Sequence, residues 1–199
     1  MKTTIFNTPI LSTLFHYEAR IIMRLFGWRV DGKFPDLPKF ILIGAPHTSN
    51  WDFLLFLGVI FTLRAEARYI AKAEIFRWPL IGRFFYYSGG YPVDRRKSTG
   101  LVGQMVEAIK AADKFILTIA PEGTRHYVSD WKRGFYHIAK GAGIPIVMAQ
   151  VDGKNKTVCI LKDAFYPTGD IEADMKAIKG KFKGVSGIKP RRKYITLER

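Results

Sequence analysis

One cysteine, Cys159, stands in a chain of 199 residues. That excludes an intrachain disulfide and gives no sign of an oxidising compartment; Cys159 reads as a small core residue on a strand. Long apolar runs are also missing. The longest, residues 53–63, falls well short of the ~20 residues that cross a bilayer, so no transmembrane helix is expected. The N-terminus lacks a compact apolar run before a small-residue cleavage site, so no signal peptide is expected. Internal repeats and low-complexity segments are absent. Acidic residues are scarce, 17 against 32 Lys and Arg, which leaves a net charge of +15. Such a balance favours nucleic acid, anionic membrane or phosphorylated ligands. Histidine is scarce too. A metal hydrolase would have to draw on His47, Asp52, His126 and His137, which lack H-E-x-x-H or similar close spacing, so no metal is expected.

What is present is a chain long enough for one domain with a real core, and 48% hydrophobic. We read 1–199 as a single domain, with an amphipathic segment over 1–30 and a basic tail over 184–199. Ile10, Leu11, Leu14, Phe15, Ile21, Ile22, Leu25 and Phe26 recur at helical spacing, with His16, Arg20 and Arg24 assigned to a basic polar face. Two readings stay open at this point: an in-plane membrane helix, or a helix packed on the protein's own core. Residues 76–87, F-R-W-P-L-I-G-R-F-F-Y-Y, combine aromatics with Arg77 and Arg83. That suits a membrane interface or single-stranded nucleic acid.

The most informative stretch is 40–57, F-I-L-I-G-A-P-H-T-S-N-W-D-F-L-L-F-L. A short apolar run ending in Gly and Pro reads as a buried strand. Thr48, Ser49 and Asn50 are N-cap types, and the apolar run from Phe53 continues as a helix. His47 and Asp52 thus sit where a buried strand hands over to a helix, the place where open α/β sheets bind ligands. On one helix, residues five apart would diverge by roughly 140°. With His47 in the loop and Asp52 in the first turn, the carboxylate can fold back on the imidazole, fix its tautomer and leave the other nitrogen as a base.

Further strands are expected at 67–71, within 88–98, and at 115–119, 144–151 and 157–161, with helices at 101–112, 131–143 and 171–183. Residues 94–97, D-R-R-K, come after Gly89 and Gly90. The strand at 115–119 runs directly into A-P-E-G-T-R, where Gly123 permits a close turn and Arg125 offers a planar fork for phosphate. Lys132 and Arg133 are expected at the start of the next helix. Strands alternating with helices, with chemistry at strand ends, predict an α/β domain.

These residues resemble the glycerolipid acyltransferases of the 1-acylglycerol-3-phosphate acyltransferase type. P-H-T-S-N-W-D matches their H-x-x-x-x-D box, G-G-Y-P-V-D-R resembles the second box, and P-E-G-T-R matches the third. W-K-R-G-F-Y-H-I-A and G-I-P-I-V resemble the family's next helix and its fourth box, so the likeness runs from about Phe40 to Gln150. The chain departs at Pro92, where an aromatic is usual, at Ala120, which replaces Phe, and at Met148, which replaces Pro; these bear on substrate choice. The resemblance implies a mixed, largely parallel sheet flanked by helices, with an N-terminal amphipathic helix. It implies an O-acyltransferase that moves a fatty acyl chain from acyl-CoA or an acyl carrier protein to a lysophospholipid hydroxyl, with 1-acylglycerol-3-phosphate the default acceptor. His47 would be the general base and Asp52 its orienter. Arg95, Glu122, Gly123, Thr124, Arg125 and Lys132 would bind substrate. No cofactor beyond the thioester and no metal is implied. The expected partners are an anionic membrane surface and the two substrates, with no nucleic acid, and the expected location is peripheral on the cytoplasmic face of a membrane. Another lysolipid or lipid-linked hydroxyl is the alternative acceptor. A basic nucleic-acid-binding protein is the more distant reading, and it leaves His47, Asp52 and P-E-G-T-R unexplained.

Overall fold

The computed structural model describes residues 4–93 and 100–189. Among them, seven strands form one sheet: β1 (Arg29–Asp31), β2 (Lys39–Ala45), β3 (Ala67–Lys72), β4 (Gly90–Val93), β5 (Phe115–Ile119), β6 (Ile146–Asp152) and β7 (Thr157–Ile160). Their spatial order is β1-β7-β6-β2-β5-β3-β4. Neighbours are parallel except β6 and β7, which are antiparallel. The helices are α1 (Pro9–Leu25), α2 (Trp51–Thr62), α3 (Pro79–Tyr87), α4 (Gly100–Ala111), α5 (Gly134–Ala142) and α6 (Ile171–Gly180).

The apolar run of β2 is explained by its central place. Phe40 and Leu42 enter one core with Met23, Leu55 and Val59, while Ile41, Ile43 and Ala45 enter the other with Met105, Phe135, Ile138 and Ile178. A strand buried on both faces has no polar side to alternate with. Pro92 is tolerated because β4 is an edge strand, where a missing N–H costs no ladder bond on the open side.

Several expectations shift at their edges. β1 is an addition to the expected strands; three residues carry too little pattern to read as one. Helix α5 begins at Gly134, so Trp131, Lys132 and Arg133 belong to the loop before it. Pro79 starts α3, as proline at a first helical position can, after a 3-10 turn over Ala73–Arg77. Asp170 caps α6 by accepting from Ala173 N–H, and the helix ends at Gly180, short of 183.

The polar face assigned to α1 also needs correction. His16 is buried against α2, its Nδ1 donating to the Phe61 carbonyl oxygen at 3.1 Å. Ala19 and Met23 face inward beside it. At Gly58 of α2 a Cβ would lie 2.7 Å from Met23 Sδ, so the glycine lets α1 approach. The bulky residues point the other way. Ile10 is 83% exposed and Leu25 79%, with Leu14, Tyr17 and Ile21 between them on the same outer face. Helix α3 repeats the pattern with Trp78 just before it and with Leu80, Ile81, Phe84 and Tyr87, all exposed. None of the described helices is long and apolar enough to cross a membrane.

Candidate active site

β2 and β5 are adjacent and parallel, with Ile43 opposite Ile119, so the chain leaves both strands at the same edge of the sheet. His47 comes after β2 and Glu122 after β5. The buried Glu122 carboxylate crosses between them and accepts the His47 backbone N–H at 2.8 Å. Glu122 therefore orders the loop that carries His47.

Asp52 lies in the first turn of α2, and its Oδ2 collects three donors: His47 Nδ1 at 2.7 Å, Thr48 N–H at 2.6 Å and Ser49 N–H at 2.8 Å. An ionised carboxylate only accepts, so the ring nitrogen facing it carries the proton. That tautomer puts the basic lone pair on Nε2. The His47 side chain is 29% exposed and that of Asp52 10%, which suits a reacting group and its holder. The expected capping is redistributed. Asn50 occupies the N-cap in helical conformation without a side-chain cap bond, and Ser49 Oγ accepts from Trp51 N–H at 3.2 Å.

His47 and Asp52 stand at one end of a cavity of about 360 Å³. It runs between the sheet and α2, and its walls include Leu42, Phe53, Phe56, Val59, Ala149 and Ile160. Gly44 and Ala120 also line it, and a Cβ on Gly44 would meet nothing within 4 Å. Small residues at these two positions leave the space open. Sequence reasoning missed this cavity, because its walls come from separate segments that each read as ordinary core.

The P-E-G-T-R turn packs against the loop before α5. Lys132 N–H donates to the Pro121 carbonyl at 2.8 Å, and a Cβ on Gly123 would lie 2.7 Å from Lys132 Cδ. Gly123 has φ of +65°, so the turn requires glycine both for its backbone and for the lysine stem lying across it. Thr124 Oγ1 accepts from His126 N–H at 3.3 Å. Arg125 is exposed. Arg133, the other loop cation, pairs with Glu172 of α6 at 2.6 Å. Arg95 lies outside the described residues. Among those described, no group of three or more His, Cys, Asp or Glu could hold a metal ion.

An imidazole held by a carboxylate thus stands at a strand end, joined through Glu122 to the turn reading P-E-G-T-R. The chain belongs to the acyltransferase family, whose model matches residues 30–151. It is 32% identical over 75% of its length to the 1-acyl-sn-glycerol-3-phosphate acyltransferase of Saccharomyces cerevisiae, covering 50% of that protein. To the enzyme of the same name from Streptococcus pneumoniae it is 26% identical over 70% of its length and 55% of the relative's. The chain thus spans about half the length of the curated relatives it matches. The crystal structure of the 1-acyl-sn-glycerophosphate (LPA) acyltransferase from Thermotoga maritima superposes with a TM-score of 0.61 at 19% identity, over 86% of this chain and 78% of that one. At that identity the likeness speaks for the fold.

Proposed function

We propose that the protein transfers a fatty acyl chain from a thioester, acyl-CoA or acyl carrier protein, to the free hydroxyl of a lysophospholipid, with 1-acylglycerol-3-phosphate as acceptor and phosphatidic acid as product. The observation that carries this reading is the His47–Asp52 pair at the end of an apolar cavity. His47 Nε2 takes the acceptor hydroxyl proton as the oxygen attacks the thioester carbonyl. The C–O bond forms, the C–S bond breaks, and the imidazolium returns the proton to the leaving thiolate. Asp52 holds the ring and stabilises its cationic form in between. No acyl-enzyme is needed. The cavity suits the acyl chain, since a buried alkyl tail gains roughly 0.8 kcal/mol per methylene.

Acceptor phosphate falls to Arg125, Lys132 and Arg95, with Gly123 and Thr124 shaping the turn. An exposed guanidinium two residues past a fixed glycine turn can close on phosphate with two parallel bonds. The protein works as a peripheral enzyme on the cytoplasmic face of a membrane. The outward bulky faces of α1 and α3 support this, because they leave apolar side chains in water that an interface would cover. The net charge of +15 suits anionic headgroups. The test is turnover by purified protein with labelled acyl-CoA and acyl carrier protein thioesters against a panel of lysolipids. Equal use of acceptors with and without phosphate would remove the phosphate assignment.

A further inference from the structure

The segment after α6 returns to the loop that carries His47. Gly187 N–H donates to the Val151 carbonyl at 3.0 Å, Ile188 packs into the core cluster beneath α2, and Lys189 N–H donates to Thr48 Oγ1 at 3.1 Å. The approach is close. Gly187 is buried, has φ of +72°, and a Cβ there would lie 2.6 Å from Thr48 Cγ2 and 3.4 Å from Pro46 Cβ. Thr48 is thus gripped on its side chain by residues 187–189 while its own N–H donates to Asp52 Oδ2 at 2.6 Å. It joins this strap to the carboxylate that holds His47.

We infer that Thr48, clamped by the Gly187–Lys189 strap, is a positioning residue for the His47–Asp52 pair, so that residues far downstream help to set the catalytic geometry. The strap acts through the Thr48 hydroxyl, which accepts the Lys189 N–H. Pinning that side chain fixes where the Thr48 N–H points, and with it Asp52. Displacements well below an ångström at such a pair reduce the fraction of encounters with reacting atoms in line, without weakening ground-state binding. The inference rests on the acyl-transfer reading for its kinetic test but not for its spectroscopic one.

Thr48→Val keeps the side-chain shape and removes the acceptor for Lys189 N–H, while Thr48→Ser keeps the acceptor. With acyl-CoA and 1-acylglycerol-3-phosphate as substrates, Thr48→Val is expected to lower kcat about tenfold with both KM values within about twofold, and Thr48→Ser to stay within about twofold of wild type. The second readout is the NMR signal of the His47 Nδ1 proton, downfield because Asp52 accepts it; Thr48→Val should broaden it and Thr48→Ser should not. Equal kcat and equal proton signals for the Val and Ser variants would overturn the inference. If wild type acylates no lysolipid at all, the acyl-transfer reading fails, and the proton signal still decides whether the strap positions His47.

Discussion

The loop after β2 and the joint between α5 and α6 each gather donors onto one aspartate. In the loop, Asp52 Oδ2 receives Thr48 N–H, Ser49 N–H and His47 Nδ1. In the joint, Asp174 receives the Tyr136 hydroxyl at 2.8 Å, Thr168 N–H at 2.8 Å and the Thr168 hydroxyl at 2.9 Å. Burial pushes the Asp174 carboxyl up, but the bonds from Tyr136, Thr168 and Gly169 outweigh it and hold the group below the usual aspartate range. The difference lies in the third donor. Asp174 holds groups that stay neutral, packed away from the cavity, so its clamp locks α6 to α5. Asp52 holds a partly exposed imidazole that can take up and release a proton on its other nitrogen. The same carboxylate geometry locks structure in one place and, in the proposed mechanism, serves proton transfer in the other.

That comparison sets the order of expected effects. Asp52→Asn should lower turnover by about 10³-fold or more, because an amide can present its N–H to Nδ1 and so favour the wrong tautomer, while thermal stability changes little. Asp174→Asn should do the reverse. It leaves buried donors without their charged acceptor, costs about 2–3 kcal/mol and lowers Tm by about 6–10 °C, with kcat per folded molecule unchanged. Scanning calorimetry and single-turnover assays on the two variants separate them. If Asp174→Asn removes turnover without loss of stability, the joint belongs to the site after all.

The pH dependence of stability is set in part by Asp174. Its folded carboxyl ionises below its unfolded value, so the stability it contributes is present above the unfolded value and lost as pH falls through the folded one. Stability of wild type should therefore drop on acidification through and below the ordinary aspartate range, and the drop should be shallower in Asp174→Asn. Urea titrations at several pH values check the slope. The smallest effect concerns α1. Ile10→Ser or Ile21→Ser should change stability by no more than about 0.5 kcal/mol, since both side chains face outward. Each should weaken sedimentation with anionic vesicles by roughly tenfold, the loss of one inserted aliphatic side chain. Unchanged vesicle binding would leave α1 as core packing alone.

Much of this is legible in the sequence. β2, α2 and the facing of His47 and Asp52 can be read from a five-residue spacing across a strand-to-helix junction, because that geometry is local. Glu122 beside His47 is legible only through the motif order, since the bond depends on β5 lying next to β2. What cannot be read shares one cause. The cavity, the burial of His16 against Phe61, the Asp174 joint and the strap at Thr48 all depend on pairs far apart in the chain. Helical periodicity locates the apolar residues of α1 but leaves open which side packs inward and puts His16 on the polar face, whereas Ala19, Met23 and Gly58 let a narrow face that includes His16 pack inward and leave the bulky residues out.

The most direct measurement is acyl transfer to 1-acylglycerol-3-phosphate by His47→Ala beside wild type, with matched circular dichroism and Tm. A folded His47→Ala protein should retain less than about a thousandth of wild-type turnover, as removal of a catalytic base within a coupled unit does. Near-normal turnover by that folded variant would contradict the assignment of His47 as the base.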